Sequence, residues 1–302
     1  MSREHTRALW ALVLVQILFG VHYFAAKIVV SAIEPAAWAF LRVCGGAACL
    51  WLISGWRGSP LPDRPQDYGR LALYALFGVI LNQVCFVEGL SRTSTGHASI
   101  IMTSIPVGAL VFALLLGRER GSPRKGLAVL VSLVGVLMIL GVGPALAESA
   151  DASLQGDVLV LINALSFAFF LVISKRLMAR TDPISGSAVL MSFGVLGVAV
   201  VGLRPALAID YSAIAPSIWG WAAFIVIGPT ALAYMLNYHA LKHVESSTVA
   251  LFIYLQPVVA VALGVTILGE RPGLEVWLGA ILVFTGVFLA RPAEKRAPES
   301  TA

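Results

Sequence analysis

The sequence predicts an all-α integral membrane protein of ten transmembrane helices, arranged as two inverted five-helix repeats. Three observations carry this. The 302 residues are 59% hydrophobic and only 12% charged, with a mean hydropathy of +0.88. A water-soluble domain of this length cannot hide so much apolar surface. The apolar residues gather into ten runs, and a bilayer core needs about 20 such residues per spanning helix. Finally, the second half of the chain repeats landmarks of the first.

The runs lie at roughly 8–31, 36–54, 69–91, 95–117, 123–142, 155–178, 184–204, 216–241, 246–268 and 274–291. The first is too long for the apolar core of a secretory signal, and no small-residue cleavage site follows before Lys27, so it reads as a membrane helix. It places Gln16, Gly20, Tyr23 and Lys27 on one helical face. The second carries Arg42 and the small stretch Cys44-Gly45-Gly46-Ala47-Ala48, suited to close helix contacts. The third holds Asn82, Gln83 and Glu88; the fourth holds His97, then Ser99, Thr103 and Pro106 on one face. The fifth is built of Gly, Ala, Val and Leu. An acidic linker at 143–155, free of Lys and Arg, follows.

The second half runs in parallel. The sixth helix lines up Asn163, Phe167, Phe170 and Ser174, and the seventh carries Gly194 and Gly197. The eighth has Tyr234, Asn237, Tyr238 and His239; the ninth has Ala250, Tyr254 and Pro257. The tenth resembles the fifth. The domain reading is therefore a first repeat at 1–142, the linker at 143–155, and a second repeat with its tail at 156–302.

The repeat shows in fixed offsets. Lys27 and Pro35 fall on Lys175 and Pro183, 148 residues later. Leu90, Pro106, Glu119 and Gly135 fall on Leu241, Pro257, Glu270 and Gly286, 151 later. Five helices per unit is an odd number, so the two units cross the membrane in opposite senses. With the N-terminus inside, sixteen Lys and Arg lie on the inner side and three on the outer. That bias orients both termini to the cytoplasm. It also accounts for the net charge of +5 without a nucleic-acid partner.

A proline in a membrane helix frees a carbonyl and kinks the chain. Such backbone is tolerated where it is buried in protein or lines a wet cavity. Pro106 and Pro257 are thus expected to kink helices four and nine beside a cavity at the repeat interface. The sequence is similar to the EamA-type branch of the drug/metabolite transporter superfamily over nearly all of its length. The resemblance rests on Lys27 and Lys175 late in the first helix of each half, and on the paired prolines. It rests also on Gly117-Arg118-Glu119-Arg120 and Gly269-Glu270-Arg271 at the ends of helices four and nine. It implies a secondary transporter of the bacterial inner membrane, often an exporter of amino acids or related small metabolites. The small multidrug relatives use a carboxylate in their first helix, and this chain has none between Glu4 and Glu34.

The expected substrate cavity is lined by Gln16, Tyr23, Asn82, Thr103, Asn163, Phe167, Tyr234, Asn237, Tyr238 and Tyr254. Unpaired amides are costly in hydrocarbon and turn inward. Lys27, Arg42, Glu88 and His97 fall in the outer third as a gate or ion-pair group, Glu88 pairing with Lys27 or Arg42. Cys44, Cys49 and Cys85 all lie within apolar runs and read as packing residues. No catalytic motif, Walker A sequence or cofactor site is visible. His239 and His243 stand one turn apart but read as a helix end, so no metal is expected. The implied partners are a small-molecule substrate and membrane lipid, with the protein a monomer or homodimer.

Overall fold

A computed structural model describes residues 3–93, 98, 101–140, 154–259, 262 and 273–289, without the side chains of Tyr23, Phe24, Lys27 and Leu140. His97, Glu270, Arg271 and most of the 143–155 linker therefore lie outside the described residues, as do the side chains expected at Tyr23 and Lys27. Within them the chain is helical throughout and forms no strand. The helices are α1 (Arg3–Val30), α2 (Pro35–Arg57), α3 (Pro65–Leu90), α4 (Ser104–Leu115) and α5 (Pro123–Leu140), then α6 (Leu154–Met178), α7 (Pro183–Leu207), α8 (Pro216–His243), α9 (Ser246–Val259) and α10 (Leu274–Leu289). By length and composition six can cross a membrane: α1, over Arg3–His22, with α2, α3, α6, α7 and α8. Three more, α4, α9 and α10, are shorter apolar helices.

Local chemistry sets many of the boundaries. Proline opens α2, α3, α7 and α8, where its missing N–H costs nothing and its fixed φ suits a first turn. The Asp182 carboxylate also accepts from the backbone N–H groups of Ile184 and Ser185, capping α7. Gly58 ends α2 with φ of 61°, a conformation that glycine adopts without a Cβ penalty.

Each half contains one helix with a π-helical stretch. In α3 it is Leu76–Ile80; in α8 it is Val226–Leu232. Such widened turns leave backbone carbonyls for outside donors. In α3, Phe77 O accepts from Ser166 Oγ at 2.8 Å and Gly78 O from Tyr234 Oη at 2.6 Å. The helix is thereby tied to α6 and α8.

The expected proline kinks take a sharper form. The helix before α4 breaks at a turn at Thr103, three residues ahead of Pro106. A 3₁₀ turn at Phe252–Tyr254 interrupts α9, ending three residues ahead of Pro257. In both, the proline ring displaces the carbonyl one turn earlier and supplies no N–H to it. Tyr254 Oη closes the two breaks on each other by donating to Thr103 O at 3.0 Å.

The most extensive packing joins α2 to α7 and α5 to α10; α3 lies on α6, and α1 on α8. The small residues sit where the helices approach. A Cβ on Gly194 would fall 2.5 Å from Val79, and one on Gly46 would fall 2.7 Å from Thr230. The opposite faces are apolar and exposed, as at Leu196 and Val200 of α7 and Ile281, Phe284 and Phe288 of α10. This is the pattern of an integral membrane protein, whose outward side chains meet lipid.

Candidate functional site

A cavity lies at the centre of the bundle. Its wall draws on Gln16, Phe19 and His22 of α1, Arg42 of α2, and Asn82, Gln83 and Phe86 of α3. Across from them stand Asn163, Phe167 and Phe170 of α6, Tyr234, Asn237 and Tyr238 of α8, and Ile253 and Gln256 of α9. Amides and aromatic rings face a largely apolar space, the usual make-up of a small-molecule site. Several are held by neighbours. Gln256 Nε2 donates to Gln16 Oε1 at 2.8 Å, joining α9 to α1. Asn163 Nδ2 donates to Asn82 O at 2.5 Å. Tyr238 Oη and Thr181 Oγ1 share a hydrogen bond at one end.

Seven of the residues expected in the cavity stand in its wall: Gln16, Asn82, Asn163, Phe167, Tyr234, Asn237 and Tyr238. Thr103 and Tyr254 do not. They sit behind it, spent on bridging the helix breaks. Tyr254→Phe is accordingly expected to lower thermal stability in detergent by about 1 kcal/mol, one buried hydrogen bond, and to leave substrate affinity unchanged. An unaltered melting curve with weakened binding would return Tyr254 to the cavity wall.

On α1 Gln16 stands where expected, but Gly20 does not. Phe19 and His22 line the cavity, while a Cβ on Gly20 would lie 2.6 Å from Val259 of α9. Gly20 is thus a helix-contact glycine. His22 and Gln256 are residues that the sequence reading missed. Gln256, beside Pro257, carried a usable signal, being an amide next to a helix-breaking proline.

The expected ion-pair group is also rearranged. Glu88 sits two residues from the end of α3, partly exposed, and pairs with Arg92 at 2.8 Å. It does not pair with Arg42. The reason is proximity: the two lie four residues apart at one helix end, where an acid before a base meets it naturally. Arg42 instead is buried, 4% exposed. Its Nε donates to Thr230 Oγ1 at 2.7 Å and its Nη1 to Gln83 Oε1 at 3.4 Å.

A second cavity adjoins the first. His22, Arg42, Gln83 and Phe86 line both, forming the neck between them. Val30, Pro35, Leu90 and Ser91 carry it to the end of the bundle where α1 and α3 finish and α2 begins.

The opposite end, where lysines and arginines cluster, is clasped shut. Glu119 follows α4, and its side chain is 1% exposed. It accepts from Ser246 Oγ at 2.9 Å, from Ser247 N at 3.1 Å and from Ser247 Oγ. Lys125 Nζ reaches both Glu119, at 3.0 Å, and Glu245, at 2.5 Å. Lys175 Nζ donates to the carbonyls of Leu241 and Val244, capping the end of α8. Arg180 pairs with the buried Asp67. The contacts of Glu119 with Ser246 and Ser247, of Lys125 with Glu245 and of Arg180 with Asp67 join the first half of the chain to the second, whereas Lys125–Glu119 lies within the first and Lys175 within the second.

At the same end Glu4, His239 and His243 bring potential metal ligands within 4.8 Å of one another. Arg7 Nη1 already pairs with Glu4 at 2.7 Å, and Lys242 adjoins the histidines in sequence. The carboxylate's charge is met, and the group reads as neighbouring helix ends.

Helices from both halves of the chain thus wall the central cavity, with amides and rings turned into it. The family is shown by sequence. The model of the EamA-like transporter family matches residues 6–141 and, a second time, 154–291; the chain belongs to this family. Among its relatives are the Uncharacterized transporter YyaM of Bacillus subtilis, 26% identical over 91% of this chain and 90% of that one, and the Uncharacterized inner membrane transporter YedA of Escherichia coli, 26% identical over 92% and 89%. A solved crystal structure shares the fold, with a TM-score of 0.78 at 20% identity over 95% of this chain and 96% of that one. The protein is an integral membrane protein of a transporter family.

Proposed function

We propose that the protein is a secondary carrier of the inner membrane that exports small amphipathic metabolites, amino acids or close relatives of them, by alternating access. The observation that carries the proposal is the inequality of the cavity's two ends. One is held shut by the Glu119 clasp; the other continues through the Arg42 neck into a second cavity. A site closed on one side and accessible from the other is one of the two states that alternating access requires.

The reading includes ten membrane-crossing helices in two inverted five-helix repeats. The family model matches twice, and the π-helical stretches recur in α3 and α8. Two hydrogen bonds join residues 151 positions apart: Tyr254 to the Thr103 carbonyl, and Ser132 Oγ to the Val283 carbonyl at 3.4 Å. That offset is the repeat offset, so equivalent residues touch each other. Such self-contacts arise along a two-fold axis between repeats. The charge bias puts both termini and the clasp in the cytoplasm, so the open end faces outward. Labelling tests the orientation, with Cys44, Cys49 and Cys85 replaced by alanine. A cysteine at exposed Ser212 should react with an impermeant reagent from outside, and one at exposed Asp63 only from inside; the reverse would invert the topology.

Counterflow in proteoliposomes tests the function. A carrier preloaded with a substrate takes up labelled substrate in a saturable manner. A channel gives flux that does not saturate, and an enzyme returns an altered solute. Either outcome would overturn the proposal.

A further inference from the structure

Arg42 is the one Asp, Glu, Lys or Arg residue that the described walls of the two cavities contain. It is nine-tenths buried or more, and it stands at the neck through which the two cavities join. Both of its hydrogen-bond partners, Thr230 and Gln83, are neutral. Among the described residues no carboxylate lies within ion-pair distance of it. Glu88, the acid expected to pair with it, is held by Arg92.

A buried cation without a counter-charge is costly to keep within a membrane protein, and such groups mark pathways and ligand sites. The neighbours of Arg42 hold it in place and leave its charge unmet. Thr230 Oγ1 gives its own proton to Ile225 O at 2.8 Å, so it faces Arg42 Nε as an acceptor. A guanidinium has five N–H donors. Nε and one on Nη1 are used, which leaves the rest on Nη1 and Nη2. That terminal edge is the one a carboxylate grips with both oxygens.

A second buried polar atom is unmatched. Asn163 is 1% exposed and lines the central cavity. Its Nδ2 is used on Asn82 O, but its Oδ1 has no partner. A buried acceptor of this kind calls for a donor. Phe167 and Phe170 stand on the same helix, one and two turns beyond it, and on the same cavity wall.

We propose that Arg42 is the anion anchor of the transport site, so that the substrates are small organic carboxylates with an apolar body and an N–H donor that Asn163 Oδ1 receives. The inference rests on the carrier reading and gives it a substrate class. It places the carboxylate at the neck and the apolar body against the rings of α6. A substrate entering from either side neutralises the charge that the empty site leaves bare.

The test uses the full-length protein and matched probes: leucine, phenylalanine, N-acetylphenylalanine and 3-phenylpropanoate, which lacks an N–H, each beside its primary amide. Binding is read by thermal shift in detergent, and transport by counterflow in proteoliposomes. The parent should be stabilised by carboxylates, N–H-bearing ones best, and not by the amides. Arg42→Gln keeps a donor for Thr230; it should fold with an unliganded melting temperature near the parent's and lose about 100-fold in carboxylate affinity. Arg42→Lys should keep the preference for carboxylates with weaker binding. Asn163→Leu should narrow the difference between 3-phenylpropanoate and the N–H-bearing carboxylates. If the parent exchanges amides as well as carboxylates, the anchor is wrong while the carrier reading stands. The same conclusion follows if Arg42→Gln binds carboxylates as the parent does, or if Arg42→Gln and Arg42→Lys both fail to fold, which would make Arg42 a structural link. Failure of every solute to exchange would count against both.

Discussion

Replacing Glu119 with alanine is expected to open the basic end of the cavity and to cut transport by about 100-fold. The side chain is almost fully buried and holds the first turn of α9 through Ser246 and Ser247, while Lys125 neutralises it. Breaking a buried, hydrogen-bonded ion pair costs about 3 kcal/mol, because its partners are left behind unpaired. Spent on the balance between two states of the carrier, that is a shift of roughly 100-fold. A cysteine at Met178, in the wall of the cavity, reports the change. It should be shielded from a reagent on the basic side in the parent and react rapidly in Glu119→Ala. Unchanged labelling would mean that Glu119 is not the clasp.

The same contact carries a pH dependence. Burial raises the Glu119 carboxyl, but the hydrogen bonds from Ser247 and the charge of Lys125 outweigh it, and the net effect is a value below the ordinary one. A carboxyl depressed in the folded state contributes its stability above its unfolded value and loses it as pH falls through the depressed one. The clasp is thus fully formed at neutral pH and weakens only in acid, below the usual glutamate range.

The second large effect is expected at the α5–α10 crossing. A Cβ on Gly135 would lie 2.5 Å from Gly279 O and 2.8 Å from Val283 N. These are backbone atoms of the facing helix, so no rotamer change relieves the clash. Gly286 meets the backbone of α5 in the same way, with Ala128 O at 2.6 Å. Gly135→Leu should push the helices apart and lower the yield of folded protein several-fold, with a fall in melting temperature of 10 °C or more as the order of magnitude expected for an overpacked core site costing about 3 kcal/mol. Gly55→Leu, where a Cβ meets nothing within 4 Å, should behave as the parent does. Equal yields for the two variants would contradict the close crossing.

The fold was legible because membrane helices are written in composition and length. Long apolar runs stand out, and prolines such as Pro35, Pro65 and Pro183 mark where helices begin. The cavity was legible in part for a related reason. An amide such as Asn163 is too costly to face lipid, so it declares an inward face. What was not legible was rotation. On α1 Phe19 and His22 line the cavity beside Gln16 while Gly20 packs on α9, and a helix that is apolar around most of its surface gives the pattern little to fix that angle. Ion pairing failed for another reason. Depth along the sequence points Glu88 to a distant partner, whereas Arg92 lies one turn away. Glu119 reads from the sequence as a helix-end residue. Its burial comes from the chain that folds over it from the other half, at Ser246 and Ser247, and local sequence carries no trace of that.

Cross-linking tests the central claim, that the basic end opens during transport, most directly. Lys125 and Glu245 face each other across the two halves. With both changed to cysteine and the native cysteines removed, a short reducible thiol cross-linker joins the halves at the clasp. The account predicts that cross-linking abolishes whatever counterflow the same double-cysteine carriers show before it, that reductant restores that level, and that the cross-linker leaves the level of each single-cysteine variant unchanged. Full counterflow with the halves joined would contradict the account, since solute would then be passing without that end ever opening.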